Sequence, residues 1–272
     1  MPINTELTNR ISAILDRGKT VVLSTIVESR METLAVGAKM MVSDDGETFG
    51  GFGAATLDEL VVRESQSFLQ SRQATKLLSS SALSSTAEAL PAAKILLERI
   101  EAEPRLVIAG AGHVGAALAR FAAIAGFRVT LMDDRADFVE RSLFSSPQEE
   151  SIELVKADDW RAAMGQAVGS GKGVFVTIVT RGHKQDEECL RATLTGGCDY
   201  VGMIGSKRRT NIVLEKMREE GAHEDDLNRV RAPIGLDIGA VSPEEVALAI
   251  LAEIVAERRG GTGIPLSSWR RS

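Results

Sequence analysis

Cysteine is nearly absent from this chain of 272 residues, which has only Cys189 and Cys198. That excludes a disulfide framework and a cysteine-rich metal finger, and it points to free thiols in a reducing compartment. Aromatic residues make up only 4%, leaving few faces on which single-stranded nucleic acid could stack. A formal charge of −6 argues further against a general nucleic-acid binder. The three histidines, His113, His183 and His223, are widely spaced and lack a ligand cluster, so they do not read as a zinc site. No apolar run reaches the length of a membrane span, and the opening MPINTELTNR lacks a signal peptide's apolar core. The expected compartment is the cytoplasm.

What is present is ordinary soluble composition, 44% hydrophobic and 26% charged, with length enough for two cores. The pattern divides at residues 1–88 and 89–272. The first part reads as a small α+β unit. Asn4 or Thr5 caps an amphipathic helix that Gly18 ends, and extended runs follow near 20–27, 34–43 and 48–52. Asp45-Gly46 signals a hairpin between the last two, and a helix spans about 57–69. The serine-rich stretch 79–86 reads as a linker. The second part opens with a helix near 92–100. Apolar strands then alternate with helices, which predicts an α/β fold, a Rossmann-like doubly wound parallel sheet. Ser242-Pro243-Glu244-Glu245 opens a last helix as a capping box.

The densest signal is LVIAGAGHVGAALARFAAIAGFRVTLMDDR, from Leu106 to Arg135. Gly110 permits the tight turn, Gly112 lets backbone approach a phosphate, and Gly115 lets the helix sit close on the sheet. His113 lies inside the turn, and the N–H groups of the helix face the anion. Asp133 follows Gly110 by 23 residues, where such folds hold a ribose hydroxyl pair.

Three further patches fall at strand ends. Thr180, Arg181 and Gly182-His183 follow a buried strand, and Asp186 lies one turn on, positioned either to orient the imidazole or to serve the helix dipole. In YVGMIGSKRR, Gly205 and Ser206 precede Lys207, Arg208 and Arg209 in a helix's first turn. Cations there oppose the dipole by roughly 0.3–1 kcal/mol each unless an anion compensates them. In RAPIGLDIGA, Asp237 either receives a ligand donor or braces its glycine turns.

In this order, GAGHVG, DDR, TRGH, YVGMIGSKRR, PIGLDIGA and the SPEE helix resemble the XdhC/CoxI family, the maturation factors of xanthine and carbon monoxide dehydrogenases. The resemblance implies a cytoplasmic, nucleotide-binding-type chaperone rather than an enzyme. It would hold molybdenum cofactor, as molybdopterin or its dinucleotide form, assist sulfuration by a cysteine desulfurase and serve an apo molybdenum hydroxylase; a homodimer is the assembly it implies. The implied binding set is Gly110, Gly112, His113, Gly115, Asp133, Thr180, Arg181, His183, Gly205, Ser206, Lys207, Arg208 and Asp237, with no catalytic residue beyond the candidates His183 and Asp186. Val36-Gly37-Ala38-Lys39-Met40 resembles a strand of the family's first domain. Where the family carries glycine-glycine-cysteine and an acid, however, this chain has Ala54, Ala55, Thr56, Leu57 and Asp58. Two other readings stand beside this one: an NAD(P)-dependent oxidoreductase with His183 as acid/base, and a non-catalytic scaffold paralogue.

Overall fold

The computed structural model describes residues 2–71, 73–83, 92–169, 171 and 173–267, with side chains from residue 5 on. The chain forms two compact units, Met1–Ala102 and Glu103–Ser272.

The first unit is an antiparallel sheet between two helices. Its elements are α1 (Pro2–Asp16), β1 (Val21–Ser29), β2 (Lys39–Ser43), β3 (Thr48–Gly50), α2 (Ala55–Leu69), β4 (Thr75–Ser79) and β5 (Ala93–Ile100), with sheet order β3-β2-β1-β5-β4. Alternation along β1 and β2 sends Val21 and Met41 toward Leu7 and Ile14 of α1. Val22 and Val42 face Leu57, Val61 and Phe68 of α2. The Asp45-Gly46 turn closes the β2–β3 hairpin, pairing Val42 with Thr48, and Gly46 takes φ +88° as such a turn requires.

Four expectations are corrected here. Helix α1 begins at Pro2, so Asn4 and Thr5 lie inside it rather than at its cap. Residues 93–100 form strand β5, not a helix. Ala93, Ile95 and Leu97 are buried while Lys94 is exposed, a two-residue period that the short apolar run concealed. Because β5 pairs with β1 and β4, the first unit runs to Ala102 instead of residue 88. Of the supposed linker, Ser79 ends β4 and Ser80–Ala82 form a 3₁₀ turn. Residues 84–86 lie outside the described residues.

The second unit contains β6 (Arg105–Ala109), α3 (His113–Ile124), β7 (Arg128–Asp133), β8 (Glu153–Lys156), α4 (Trp160–Val168), β9 (Val174–Ile178), α5 (His183–Gly196), β10 (Tyr200–Met203), α6 (Lys207–Glu219), α7 (Glu224–Asn228), β11 (Val230–Arg231) and α8 (Pro243–Arg259). All six strands are parallel, in the order β8-β7-β6-β9-β10-β11. Strand order reverses between β6 and β9, the place where open α/β sheets bind ligands. Both faces are covered, which explains the unbroken apolar runs of the inner strands. Leu106 and Ile108 pack with α3 and α8 through Leu118, Ala122, Ile250 and Ile254. Val107 and Ala109 face Met164, Leu190 and Val213 on α4, α5 and α6.

The capping box forms as read. The Ser242 side chain accepts from the Glu245 N–H, and the Glu245 carboxylate accepts from the Ser242 N–H. Ser242→Ala is expected to lower stability by about 1 kcal/mol, measured by urea denaturation, because one helix N–H loses its partner.

Candidate functional site

The candidate site lies at the carboxyl edge of the parallel sheet, and backbone packing at the glycines sets its shape. A Cβ on Gly115 would stand 1.8 Å from the Gly110 carbonyl oxygen, so only glycine lets α3 begin this close to the turn. A Cβ on Gly110 would stand 2.6 Å from the Val179 carbonyl oxygen, which presses the turn against the loop that leaves β9. On Gly112 an added Cβ would meet nothing within 4 Å. That glycine therefore presents the open face of the turn, at the start of a helix with no side-chain cap. The first N–H groups of α3 are left for another acceptor.

Asp133 ends β7 and is 2% exposed. Its Oδ2 accepts from the Ala111 N–H at 2.8 Å and from a terminal Arg135 nitrogen at 3.0 Å. Its Oδ1 accepts from the Arg135 N–H at 3.0 Å and from Arg135 Nε at 2.8 Å. Burial works to raise the Asp133 carboxyl, but the hydrogen bonds from Arg135 and Ala111 outweigh it and hold the group below the usual carboxylate range. The Arg135 guanidinium also lies over the Phe138 ring, 3.5 Å from its centre. Asp134, the next residue, is more open and accepts from Arg181 at 3.1 Å. Since β7 and β9 flank β6, this pair spans the end of the strand that carries the glycine turn.

Of the two roles the sequence left open for Asp186, the first turn of α5 keeps the carboxylate near the helix start, while no hydrogen bond among the described residues joins it to His183. Asp186 is fully buried, and its carboxylate accepts from the Thr180 hydroxyl at 2.5 Å and from Arg209 Nε at 2.9 Å. It therefore ties the β9 exit loop to α6 and does not bond His183. Burial pushes the Asp186 carboxyl above its ordinary value, against the pull of Thr180 and Arg209. His183 stands exposed at the start of α5, which also lacks a side-chain cap, and His113 is exposed at the start of α3.

Ser206 caps α6 as read, accepting from the Arg209 N–H at 3.3 Å, and Gly205 precedes it with φ +159°. Lys207 and Arg208 are exposed, and neither forms an ion pair among the described residues. Contacts thus run from the Gly110 turn through Thr180 and Asp186 to Arg209 and the α6 cap. Asp237 is exposed beyond β11, and no hydrogen bond or ion pair among the described residues joins it to this group. Sequence reasoning left Arg135 and Asp134 out of the site and did not foresee that Arg209 would reach Asp186. For Arg135 and Asp134 the available signal was their place directly after the strand-ending Asp133.

Two cavities, of about 320 and 310 Å³, are lined by other residues, among them Arg191, Met217 and His223 in one and Arg105, Thr130 and Glu153 in the other. No group of three or more His, Cys, Asp or Glu able to hold a metal exists among the described residues. No helix there is long and apolar enough to cross a membrane. Cys189 and Cys198 are both buried; burial carries the Cys189 thiol well above its ordinary value and pushes Cys198 up to about 11.

Residues 106–254 match the XdhC Rossmann domain, and residues 14–80 match the XdhC and CoxI family. The chain belongs to the XdhC/CoxI family. Among its relatives, the uncharacterized protein YqeB of Escherichia coli is 31% identical over 246 residues, covering 89% of this chain and 44% of YqeB. A probable xanthine dehydrogenase subunit of Bacillus subtilis is 31% identical over 169 residues, covering 61% of this chain and 46% of its own length. The molybdenum cofactor insertion chaperone PaoD of E. coli is 34% identical over 59 residues, covering 22% of this chain and 19% of PaoD. This XdhC/CoxI chain therefore spans less than half the length of these curated relatives. The solved structure of a xanthine dehydrogenase from Bacillus halodurans superposes with a TM-score of 0.65, covering 98% of this chain and 69% of that one at 23% identity. That likeness shows the shared fold.

Proposed function

We propose that this XdhC/CoxI chain is an accessory chaperone that holds the phosphate-bearing molybdenum cofactor at the carboxyl edge of its parallel sheet, for delivery to an apo molybdenum hydroxylase. The observation that carries the reading is the pair of exposed cations Lys207 and Arg208, without an ion-pair partner among the described residues, at the Ser206-capped start of α6. Cations in a helix's first turn are unfavourable on their own, and a bound anion reverses that. The residues fit such a group: Gly112 leaves open space, and the starts of α3 and α5 lack side-chain caps. The names of PaoD and of the B. subtilis relative point to the same cofactor and client class.

When bound, the cofactor would supply the molybdenum centre for the client's chemistry. The chain's own residues bind and orient it. The Gly112 turn and the first α3 amides receive a phosphate, while Ser206, Lys207 and Arg208 hold a second anionic edge. Buried Asp186 keeps the β9 loop and α6 in register between them. Sulfur for cofactor sulfuration comes from a desulfurase partner in this reading, because both thiols of the chain are buried and poorly ionised.

The test is charge reversal at Lys207→Glu with Arg208→Glu. Acidic residues in a helix's first turn favour the dipole by roughly 0.3–1 kcal/mol each, so the fold is expected to stay intact. Pterin released from the purified variant, read by fluorescence after oxidation, is expected to fall to background while the wild type retains it. Full retention by the variant would remove Lys207 and Arg208 from the site.

A further inference from the structure

We infer that the β7 edge of this crevice acts as a specificity filter: Arg135 closes Asp133 to a ribose diol, so the site takes a compact phosphate-bearing ligand and turns away dinucleotides. The inference rests on the proposed anion site and names the ligand class that site accepts.

Acceptor positions on Asp133 are the limiting quantity. A carboxylate offers about four, and in a dinucleotide site two of them must receive the ribose hydroxyls. At Asp133 four are already filled by donors of the chain: the Ala111 N–H, the Arg135 N–H and two guanidinium nitrogens of Arg135. Asp133 is also 2% exposed, so an incoming sugar would have to strip a buried, charge-assisted network before making its own bonds. Arg135 is itself held over the Phe138 ring, which fixes the guanidinium against the Asp133 carboxylate.

Asp134 offers no substitute acceptor while it receives Arg181 across the end of β6. That outer pair is more exposed, and exposed pairs open readily. A phosphate arriving at the glycine turn would release Arg181 from Asp134 and gain the guanidinium for itself. The inner pair does not open on such terms. Nor does Arg135 serve a ribose 2′-phosphate, because its charge is committed to Asp133 with Asp134 beside it. The phosphate contacts of the fold are thus kept and the nucleoside contacts closed, which favours a phosphomonoester pterin over its dinucleotide form and over nicotinamide dinucleotides.

The experiment titrates the full chain with ADP, which carries a pyrophosphate and one ribose diol, by equilibrium dialysis. Wild type, Arg135→Ala and Arg135→Lys are compared. Wild type is expected to show no saturation at millimolar ADP, and Arg135→Ala is expected to bind about tenfold tighter or better, as freed carboxylate oxygens accept the hydroxyls. Arg135→Lys retains a cation for Asp133 and gains less, and it carries the test if the alanine variant does not fold. Tight ADP binding by wild type, or no gain in either folded variant, would overturn the filter. Pterin retention in the Lys207/Arg208 variant is read separately, so loss of the anion site and loss of the filter give different results.

Discussion

Gly115→Ala is expected to destabilise the parallel-sheet unit by about 3 kcal/mol, an overpacking cost at the upper end of the usual range. The added Cβ would lie 1.8 Å from the Gly110 carbonyl oxygen, which is backbone and cannot rotate aside. Gly110 is itself anchored, since its N–H donates to the Met132 carbonyl at 2.8 Å. The helix must therefore move, taking its packing on Leu106 and Ile108 with it. Hydrogen exchange in β6 and α3, read beside the urea midpoint, measures the effect. Gly112→Ala is the matched control. Its Cβ meets nothing within 4 Å and its φ of −64° suits any residue, so stability should stay within about 0.5 kcal/mol. Cofactor retention should nevertheless fall, because the methyl group occupies the open face that a phosphate would use. Equal stability losses in both variants would contradict this division between a packing glycine and a binding glycine.

Asp186→Ala carries the second large effect, a loss of about 3 kcal/mol. Removal of the carboxylate leaves the Thr180 hydroxyl only the longer bond to the Gly182 carbonyl, at 3.2 Å, and the half-buried Arg209 guanidinium without its counter-charge. Asp186→Asn should cost about 1 kcal/mol, since the amide oxygen still accepts a hydrogen bond. The pH dependence follows from the raised carboxyl. A group whose folded-state pKa lies above its unfolded value stabilises the fold at acidic pH, and this contribution is lost as pH rises through the folded-state value. Asp133 runs the opposite way: its contribution is present above the ordinary carboxylate range and disappears as pH falls through its lowered value. Denaturation midpoints of Asp186→Asn and wild type should therefore converge as pH rises from acidic to neutral values. A gap that widens over that interval would show the sign to be wrong.

The parallel-sheet unit was legible in the sequence because several levels of signal agreed there. Short apolar runs, glycines at turn positions and a capping box at Ser242 all named the same elements, and each formed. The first unit was less legible at β5. AKILLERI is short and apolar enough to fit either period, and its pairing with β1 and β4 decides the outcome. Within the site, positions were easier to read than partners. His183 and Asp186 lie in the first turn of α5 as expected, but Asp186 turns inward to Thr180 and Arg209, a residue 23 positions away. Asp133 stands at the strand end as expected, yet Arg135 occupies it. Such choices depend on which donors the fold brings near, and spacing along one strand does not encode that.

Whether the carboxyl-edge crevice holds a phosphate-bearing pterin is tested most directly by native mass spectrometry of the full chain, purified from molybdate-replete cells. The released ligand is identified by mass and by fluorescence after oxidation. The expected result is a chain carrying about one molybdopterin-type ligand, absent from the Lys207→Glu, Arg208→Glu protein, because that ligand needs the anion contacts at the start of α6 as well as those at the glycine turn. A nicotinamide dinucleotide mass on the wild-type chain would contradict it.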